Sequence, residues 1–314
     1  MREPDGVKSV AIVGGGVIGA GWAAHFLARG LDVSVFDPAP GGEARLRDLV
    51  RAAWPTLESI GLAPRASQDR LSCSTTIAET VAGADFVQEC APDDRALKRR
   101  LFAELDGVVE PDVVIASSTS GIPMTEIQQD MAHPERAVVG HPFNPPYLVP
   151  LVEVVPGAKT SREAAEWAVA FYDRFGKKAL LLESEQLGFV ANRLQEAIWR
   201  EALHMIAAGE ATVEQIDAAI VDGPGLRWAV MGPCLTFHLG GGEGGIAHML
   251  RHFEAALSEP WCRMEGPRLT DALCEKMERG CRALAAGASN LELIRHRDQR
   301  IVAILKALNR LPEN

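Results

Sequence analysis

A glycine-rich turn between a strand and a helix constrains the fold of this chain more than any other feature. The apolar segment KSVAIV leads directly into GGGVIG at residues 14–19, where a helical pattern begins. A GxGxxG sequence in this context is typical of a dinucleotide-binding βαβ unit. Gly14 would permit the tight turn, Gly16 would let a pyrophosphate approach the backbone, and Gly19 would let helix and strand pack closely.

An acidic residue at the end of the second predicted strand indicates which dinucleotide binds. Asp37 follows Gly19 by 18 residues, and no arginine comes directly after it. A carboxylate there can hydrogen-bond a ribose diol and would repel a 2′-phosphate, so we expect NAD rather than NADP. The backbone N–H groups at the helix start, including Val17 and Ile18, would bind the phosphates. The alternative is a glycine turn without a ligand.

The first half of the chain alternates short β-branched runs with longer amphipathic segments, the pattern of βαβ units and a parallel sheet. Helical candidates between these runs include Val17–Arg29 and Arg95–Leu105. The predicted strands are Ser9–Val13, Val33–Phe36, Ala84–Glu89, Val113–Ser117, Ala137–Gly140, Leu151–Val155 and Lys178–Glu183.

Beyond about residue 185 the pattern becomes helical. Gly188–Ala208 predicts one long helix, Thr212 is the predicted N-cap of a short one, and Leu291–Leu308 predicts the last. We therefore expect an α/β fold, with a doubly wound Rossmann domain at residues 1–185 followed by an all-α domain at residues 186–314.

Composition excludes several classes of function. The 314 residues carry 32 Lys and Arg against 42 Asp and Glu, a net charge of −10, which argues against nucleic acid and anionic membranes as partners. No apolar run is long enough to span a bilayer, and the N-terminal apolar segment predicts a strand rather than a signal peptide. Six scattered cysteines without a CxxC pair predict reduced thiols in a cytoplasmic protein.

Four further segments follow the glycine-rich turn in a characteristic order: ADFVQECAPDD, ASSTS, GHPFNPPYLVPLVEV and GFVANRL. Together the five resemble the 3-hydroxyacyl-CoA dehydrogenase superfamily, which includes carnitine 3-dehydrogenases, gulonate 3-dehydrogenase and λ-crystallins. The resemblance covers residues 8–230. It implies an NAD-dependent enzyme that forms a homodimer through its helical domain.

A histidine and a glutamate in these segments suit the oxidation of an alcohol. As hydride leaves the carbon, a base must take the hydroxyl proton, and imidazole exchanges a proton near neutral pH. His141 follows a predicted strand, and Glu153 lies 12 residues later on the next one, where its carboxylate could orient the imidazole. By resemblance, His141 is the general base and Glu153 its partner. The alternative is a structural loop histidine.

The resemblance assigns further residues to the site. Ser120 and Asn192 match polar groups that hydrogen-bond the reacting oxygen, where developing negative charge calls for donors. Asp93 and Lys98 match residues near the nicotinamide ribose and the substrate entrance, and Ala91 lies in the same cofactor-binding segment. The family usually has Asn where Ser118 stands. Without the resemblance, Asp93 and Lys98 would belong to a solvated helix start.

The second half resembles the carnitine dehydrogenase branch through HLGGGEGGIAHMLRHF and EPWCRM. A trimethylammonium group makes cation–π contacts but donates no hydrogen bond, so aromatic side chains would hold it, with Arg227 or Lys98 available for the carboxylate. The expected substrate is a small L-3-hydroxy acid, L-carnitine first. The aromatic candidates are Phe143, Tyr147, Trp228, Phe237 and Trp261.

The sequence leaves other functions open. An acyl-CoA or gulonate-type dehydrogenase is the alternative enzyme, and a crystallin-like protein that binds NAD without turnover is the alternative outside enzymes. His248 and His252 have the i, i+4 spacing of zinc ligands, but no third ligand is evident. We therefore expect no metal.

Overall fold

The computed structural model describes residues 1, 3–252, 262, 268 and 270–308. Within this part the chain forms two compact units, Met1–Asn192 and Arg193–Leu308. In the described part of the chain, no helix has both the length and the apolar character needed to cross a membrane.

The first unit is built around an eight-stranded sheet, which includes all seven runs predicted from the sequence. The strands are β1 (Ser9–Val13), β2 (Asp32–Phe36), β3 (Leu71–Ser74), β4 (Phe86–Glu89), β5 (Val114–Ser117), β6 (Ala137–Pro142), β7 (Leu151–Pro156) and β8 (Lys178–Leu181). The sequence Leu-Ser-Cys-Ser of β3 gave no signal because it is short and has no β-branched residue.

The strand order places the glycine-rich turn at the point where the sheet reverses its direction of growth. The order is β3-β2-β1-β4-β5-β6-β7-β8, so β1 lies between β2 and β4 and is parallel to both. In open α/β sheets, ligands bind outside the carboxyl ends of the strands at such a switch point. The turn that follows Val13 lies at this position.

The parallel arrangement predicted from the sequence is wrong for one pair of strands, because β6 and β7 are antiparallel. Residues 143–150 connect them, and eight residues are too few for the crossover that joins parallel neighbours. The strand β6 also continues to Pro142, two residues beyond its predicted end. His141 therefore lies on the strand and not in the turn after it.

Helices connect most of the parallel strands of the first unit. One of them begins directly after Gly16, and another is capped by Asp94, whose carboxylate accepts a 2.7 Å hydrogen bond from the Leu97 N–H. They are α1 (Val17–Ala28), α2 (Gly42–Ile60), α3 (Ile77–Val81), α4 (Arg95–Val108), α5 (Met124–Ile127) and α6 (Arg162–Arg174).

The second unit is helical in its described residues, as the sequence predicted. The helix that leads into it starts at Ala191 rather than Gly188, because Gly188 and Phe189 have φ values of 71° and 52° that an α-helix does not allow. Thr212 is the N-cap of the next helix, within a capping box. The helices are α7 (Ala191–Ala208), α8 (Val213–Val221), α9 (Pro224–Trp228), α10 (Pro233–Gly240), α11 (Gly245–His252), α12 (Asp271–Ala285) and α13 (Asn290–Ala307).

Candidate active site

The glycine-rich turn has the shape of a phosphate-binding loop. Gly14 has a φ of 105°, and a Cβ there would lie 2.6 Å from the Cys90 carbonyl carbon. A Cβ at Gly19 would overlap the Gly14 carbonyl oxygen, whereas one at Gly16 would meet no atom within 4 Å. Two of the glycines are therefore required by packing. The third leaves open space at the N-terminus of α1, where no side chain caps the helix, and this space fits a pyrophosphate.

Asp37 is held against this turn at the end of β2. Its Oδ2 accepts a hydrogen bond from Gly15 N at 2.8 Å, and its Oδ1 accepts one from Ala39 N at 2.8 Å. The carboxylate lines a cavity of about 520 Å³, and none of the described residues that form its lining is basic. Two acceptor positions on each oxygen leave the carboxylate able to bind a ribose diol as well. The residues that line this cavity thus fit the adenosine half of NAD.

His141 and Glu153 face each other across β6 and β7. They are register partners in the antiparallel pair, and His141 Nδ1 lies 2.9 Å from Glu153 Oε2. The two side chains are 5% and 0% exposed. No described residue hydrogen-bonds the imidazole Nε2.

The other oxygen of Glu153 is bound by the start of α7. Its Oε1 accepts hydrogen bonds from Val190 N at 3.0 Å and Ala191 N at 2.9 Å. Burial acts to raise the pKa of Glu153, but the hydrogen bonds from His141 and these two N–H groups lower it overall. An ionised carboxylate accepts a hydrogen bond from Nδ1–H, so Nδ1 keeps its proton and the lone pair is on Nε2. The two backbone donors were not predicted, because every residue type except proline carries a backbone N–H and the sequence does not show which ones point at Glu153.

Two aromatic rings pack beside this imidazole. The Phe143 ring is 4.8 Å from that of His141, and the buried Phe189 ring is 5.5 Å from it. Phe189 was not predicted, although its place in the GFVANRL segment between the two units was visible. The predicted Tyr147 lies in the same β6–β7 connection and is half-buried.

Ser120 and Asn192 are brought together, but Asn192 binds the backbone of the serine turn. Asn192 Nδ2 donates to the Ser120 carbonyl oxygen at 2.8 Å, and Ser120 N donates to Asp93 Oδ2 at 2.9 Å. Burial acts to raise the pKa of Asp93, whereas the hydrogen bond from Ser120 N, those from the Thr119 and Ser120 hydroxyls, and the Lys98 charge lower it overall. The structure thus gathers three predicted residues at one turn after β5.

Lys98 is buried rather than solvated, and it does not present its ammonium group to a substrate carboxylate. Its Nζ donates to both carboxylate oxygens of Glu89, at 2.8 and 3.0 Å, and to the Ala91 carbonyl at 3.0 Å. Glu89 also accepts from Ala91 N at 2.6 Å and from Ser117 Oγ at 2.6 Å. The side chains of Lys98 and Glu89 are 1% and 0% exposed. The partner Glu89, nine residues earlier at the end of β4, was not predicted.

The remaining substrate candidates lie in the second unit. Arg227 and Trp228 are exposed at the end of α9, Phe237 is exposed on α10, and Trp261 lies outside the described residues. Among the residues that the structure describes, no group of three His, Cys, Asp or Glu side chains could hold a metal ion.

Two family models match this chain in tandem. The NAD-binding domain of 3-hydroxyacyl-CoA dehydrogenase matches residues 9–185, and the C-terminal domain of the same enzyme matches residues 188–287. The first match covers the sheet, the glycine-rich turn and the His141–Glu153 pair. The second covers most of the helical unit.

Individual proteins match along nearly the whole chain. The L-carnitine dehydrogenase of Streptomyces griseus is 58% identical over 99% of this chain and 93% of its own length. That of Streptomyces coelicolor is 57% identical over 99% of this chain and 98% of its own. The crystal structure of 5-formyl-3-hydroxy-2-methylpyridine 4-carboxylic acid 5-dehydrogenase, an NAD⁺-dependent dismutase, has a TM-score of 0.83 at 26% identity, covering 96% of this chain and 99% of that one.

Proposed function

This chain belongs to the 3-hydroxyacyl-CoA dehydrogenase family, and we propose that it oxidises L-carnitine to 3-dehydrocarnitine. It is an NAD-dependent 3-hydroxy acid dehydrogenase. The observation that carries the choice of substrate is the 58% identity, over 99% of the chain, with an enzyme named L-carnitine dehydrogenase. The His141–Glu153 pair supplies the chemistry that this reaction needs.

His141 acts as the general base. The bond between the C3 hydroxyl oxygen and its proton breaks, the proton moves to Nε2, and the C3–O bond becomes a carbonyl. Bound NAD supplies the acceptor for the hydride that leaves C3. The imidazolium that forms is stabilised by Glu153, which lies 2.9 Å from Nδ1 and keeps its charge in a buried position.

Ser120 and Asn192 polarise the reacting oxygen. Ser120 presents an exposed hydroxyl at the turn after β5, and Asn192 uses one N–H of its amide to hold that turn. Its second N–H and the serine hydroxyl are the donors we assign to the oxygen as negative charge develops. Asp93 supports the turn from its other side through Ser120 N.

The trimethylammonium group is held by aromatic rings near the base. In L-carnitine this group is on the carbon next to the one that bears the hydroxyl, so its subsite must adjoin His141. Phe143 meets this requirement with its ring 4.8 Å from the imidazole, and Tyr147 lies on the same connection. Quaternary ammonium groups are recognised by such ring faces. We retain Arg227 and Trp228 of the helical unit as candidates for the rest of the substrate.

The protein acts as a homodimer in the cytoplasm. The helical unit exposes large apolar side chains such as Leu194 at 57%, Trp199 at 51% and Phe237 at 53%, which supports pairing with a second copy through that unit. All six cysteines are free thiols, which suits a reducing compartment. Sedimentation equilibrium tests the dimer, since a monomer at micromolar concentration would contradict it.

A substrate panel tests the proposed function. NADH formation is measured with L-carnitine, D-carnitine, L-gulonate and 3-hydroxybutyryl-CoA, and with NADP in place of NAD for the best substrate. The proposal predicts the highest kcat/KM for L-carnitine with NAD. Turnover of another member in its place would contradict the substrate, and NADH binding without turnover of any member would contradict the enzyme.

A further inference from the structure

The connection between the two strands of the His141–Glu153 pair is held by a buried lysine. Lys177 precedes β8 and is 3% exposed. Its Nζ donates hydrogen bonds to the Pro146 carbonyl and, at 2.8 Å, to the Val149 carbonyl. Both acceptors belong to the connection, residues 143–150, which also carries Phe143 and Tyr147. Nothing in the reaction described above uses this amine.

The same amine contacts the helix that follows the glycine-rich turn. Lys177 Nζ lies 5.0 Å from the centre of the Trp22 ring on α1, and Trp22 is fully buried. One residue earlier, a Cβ at Gly21 would lie 2.5 Å from Pro146 Cδ, so α1 and the connection touch directly. Lys177 is therefore placed where the helix on the cofactor side meets the connection on the substrate side.

Packing alone does not explain a lysine at position 177. In the described part of the chain no carboxylate lies within 4 Å of its Nζ. Burial, together with the nearby Arg29 charge, lowers the pKa of Lys177 to about 7. A buried amine without a carboxylate is costly, and an apolar side chain of similar length would fill the space at lower cost. What an apolar side chain could not supply are the hydrogen bonds to the two carbonyl groups.

We propose that Lys177 is a positioning residue for substrate binding, which fixes the connection 143–150, and with it Phe143 and Tyr147, relative to His141 and α1. The proposal rests on the proposed function in one respect, namely that these two rings contact the substrate. Both hydrogen bonds of Lys177 Nζ go to the connection 143–150 and neither goes to α1. We therefore expect Lys177 to affect binding of the hydroxy acid and to leave binding of the dinucleotide unchanged.

The test compares Lys177→Met with Lys178→Met, because Lys178 is the adjacent and exposed residue. We expect Lys177→Met to raise KM for L-carnitine by about tenfold or more, the effect of losing about one net hydrogen bond. The Kd for NADH, measured by fluorescence, should stay within about twofold of the wild type, and Lys178→Met should change neither. A merely structural role would move both constants together.

A second measurement needs no substrate. The Leu148 and Val149 N–H groups both donate to the Pro145 carbonyl at 3.0 Å, so their hydrogen exchange reports the order of the connection. We expect faster exchange of these amides in Lys177→Met and unchanged exchange of Ala20 N on α1. Lys177→Gln, which keeps amide donors, should give a smaller effect in both measurements.

Two results would overturn the role proposed for Lys177. Unchanged KM and exchange in folded Lys177 variants would overturn the proposal, as would failure of both variants to fold while Lys178→Met folds. If the wild type oxidises another member of the panel and not L-carnitine, the proposed function fails, and the exchange measurement still tests Lys177 separately.

Discussion

His141 Nδ1 and Glu153 Oε2 lie 2.9 Å apart as register partners of an antiparallel strand pair. The paired strands β6 and β7 fix both backbones, and Val190 N and Ala191 N donate to the other oxygen of the carboxylate. The imidazole is therefore held in one tautomer by groups that do not themselves react.

Glu153→Gln should lower kcat strongly. The single side-chain oxygen of a glutamine would accept the hydrogen bonds from the two N–H groups at the start of α7. Its NH₂ group would then donate to Nδ1, so the imidazole proton would be on Nε2. That tautomer cannot accept a proton, and we expect kcat to fall by about 10²-fold or more. Glu104→Gln, on the exposed face of α4, is the control. Retention of half of the wild-type kcat would contradict the role of Glu153.

The same substitution predicts a pH effect on stability. The pKa of Glu153 is lowered in the folded protein, so its stabilising contribution is present above the unfolded value near 4.5 and is lost as the pH falls through the folded value. The difference in free energy of unfolding between the wild type and Glu153→Gln should thus be largest at pH 5–7 and shrink towards pH 3. Urea unfolding at several pH values measures it, and a constant difference would be inconsistent with a lowered pKa.

Gly16→Ala and Gly19→Ala should separate binding from folding. A Cβ at Gly16 meets no atom, so Gly16→Ala should melt near the wild-type temperature but bind NADH at least about tenfold more weakly, because the methyl occupies the phosphate space. A Cβ at Gly19 overlaps the Gly14 carbonyl, so Gly19→Ala should lose stability. Calorimetry and NADH titration distinguish the two. Unchanged NADH affinity in Gly16→Ala would contradict phosphate binding at this turn.

Lys98→Met should destabilise the protein by about 3–5 kcal/mol, because it leaves the Glu89 carboxylate buried without its cation. The double variant with Glu89→Gln should recover part of this loss. Arg162→Met, which breaks an exposed pair with Glu166, is the control and should cost less than about 1 kcal/mol. Denaturant unfolding measures all three variants. A loss below 1 kcal/mol for Lys98→Met would show that the buried pair is not a structural unit.

Local patterns predicted most of the fold. Runs of β-branched residues marked seven of the eight strands, and the capping residue Thr212 marked the start of α8. The four-residue β3 carried no such pattern. The antiparallel direction of β7 follows from the short connection 143–150, whereas the prediction considered only the alternation of strands and helices. The start of α7 was missed because the positive φ of Phe189 is a tertiary feature that no local propensity encodes.

Side-chain types and the family resemblance predicted part of the site. His141 and Glu153 were named together, and the structure places them in contact. Lys98 was predicted near the nicotinamide ribose and the substrate entrance, but its ion pair with Glu89 was not. Glu89 lies on a strand, so the pair is visible only once that strand and α4 are packed together. Backbone donors to Glu153 and backbone acceptors of Lys177 likewise arise from folding and leave no mark on the sequence.

The rate of NADH formation from L-carnitine in His141→Ala tests the central claim most directly. With saturating NAD, the account predicts a fall of about 10³-fold relative to the wild type, with the Kd for NADH within about twofold, while the exposed His133→Ala behaves as the wild type. A His141→Ala protein that keeps more than about a tenth of the wild-type rate would contradict general-base catalysis by this histidine.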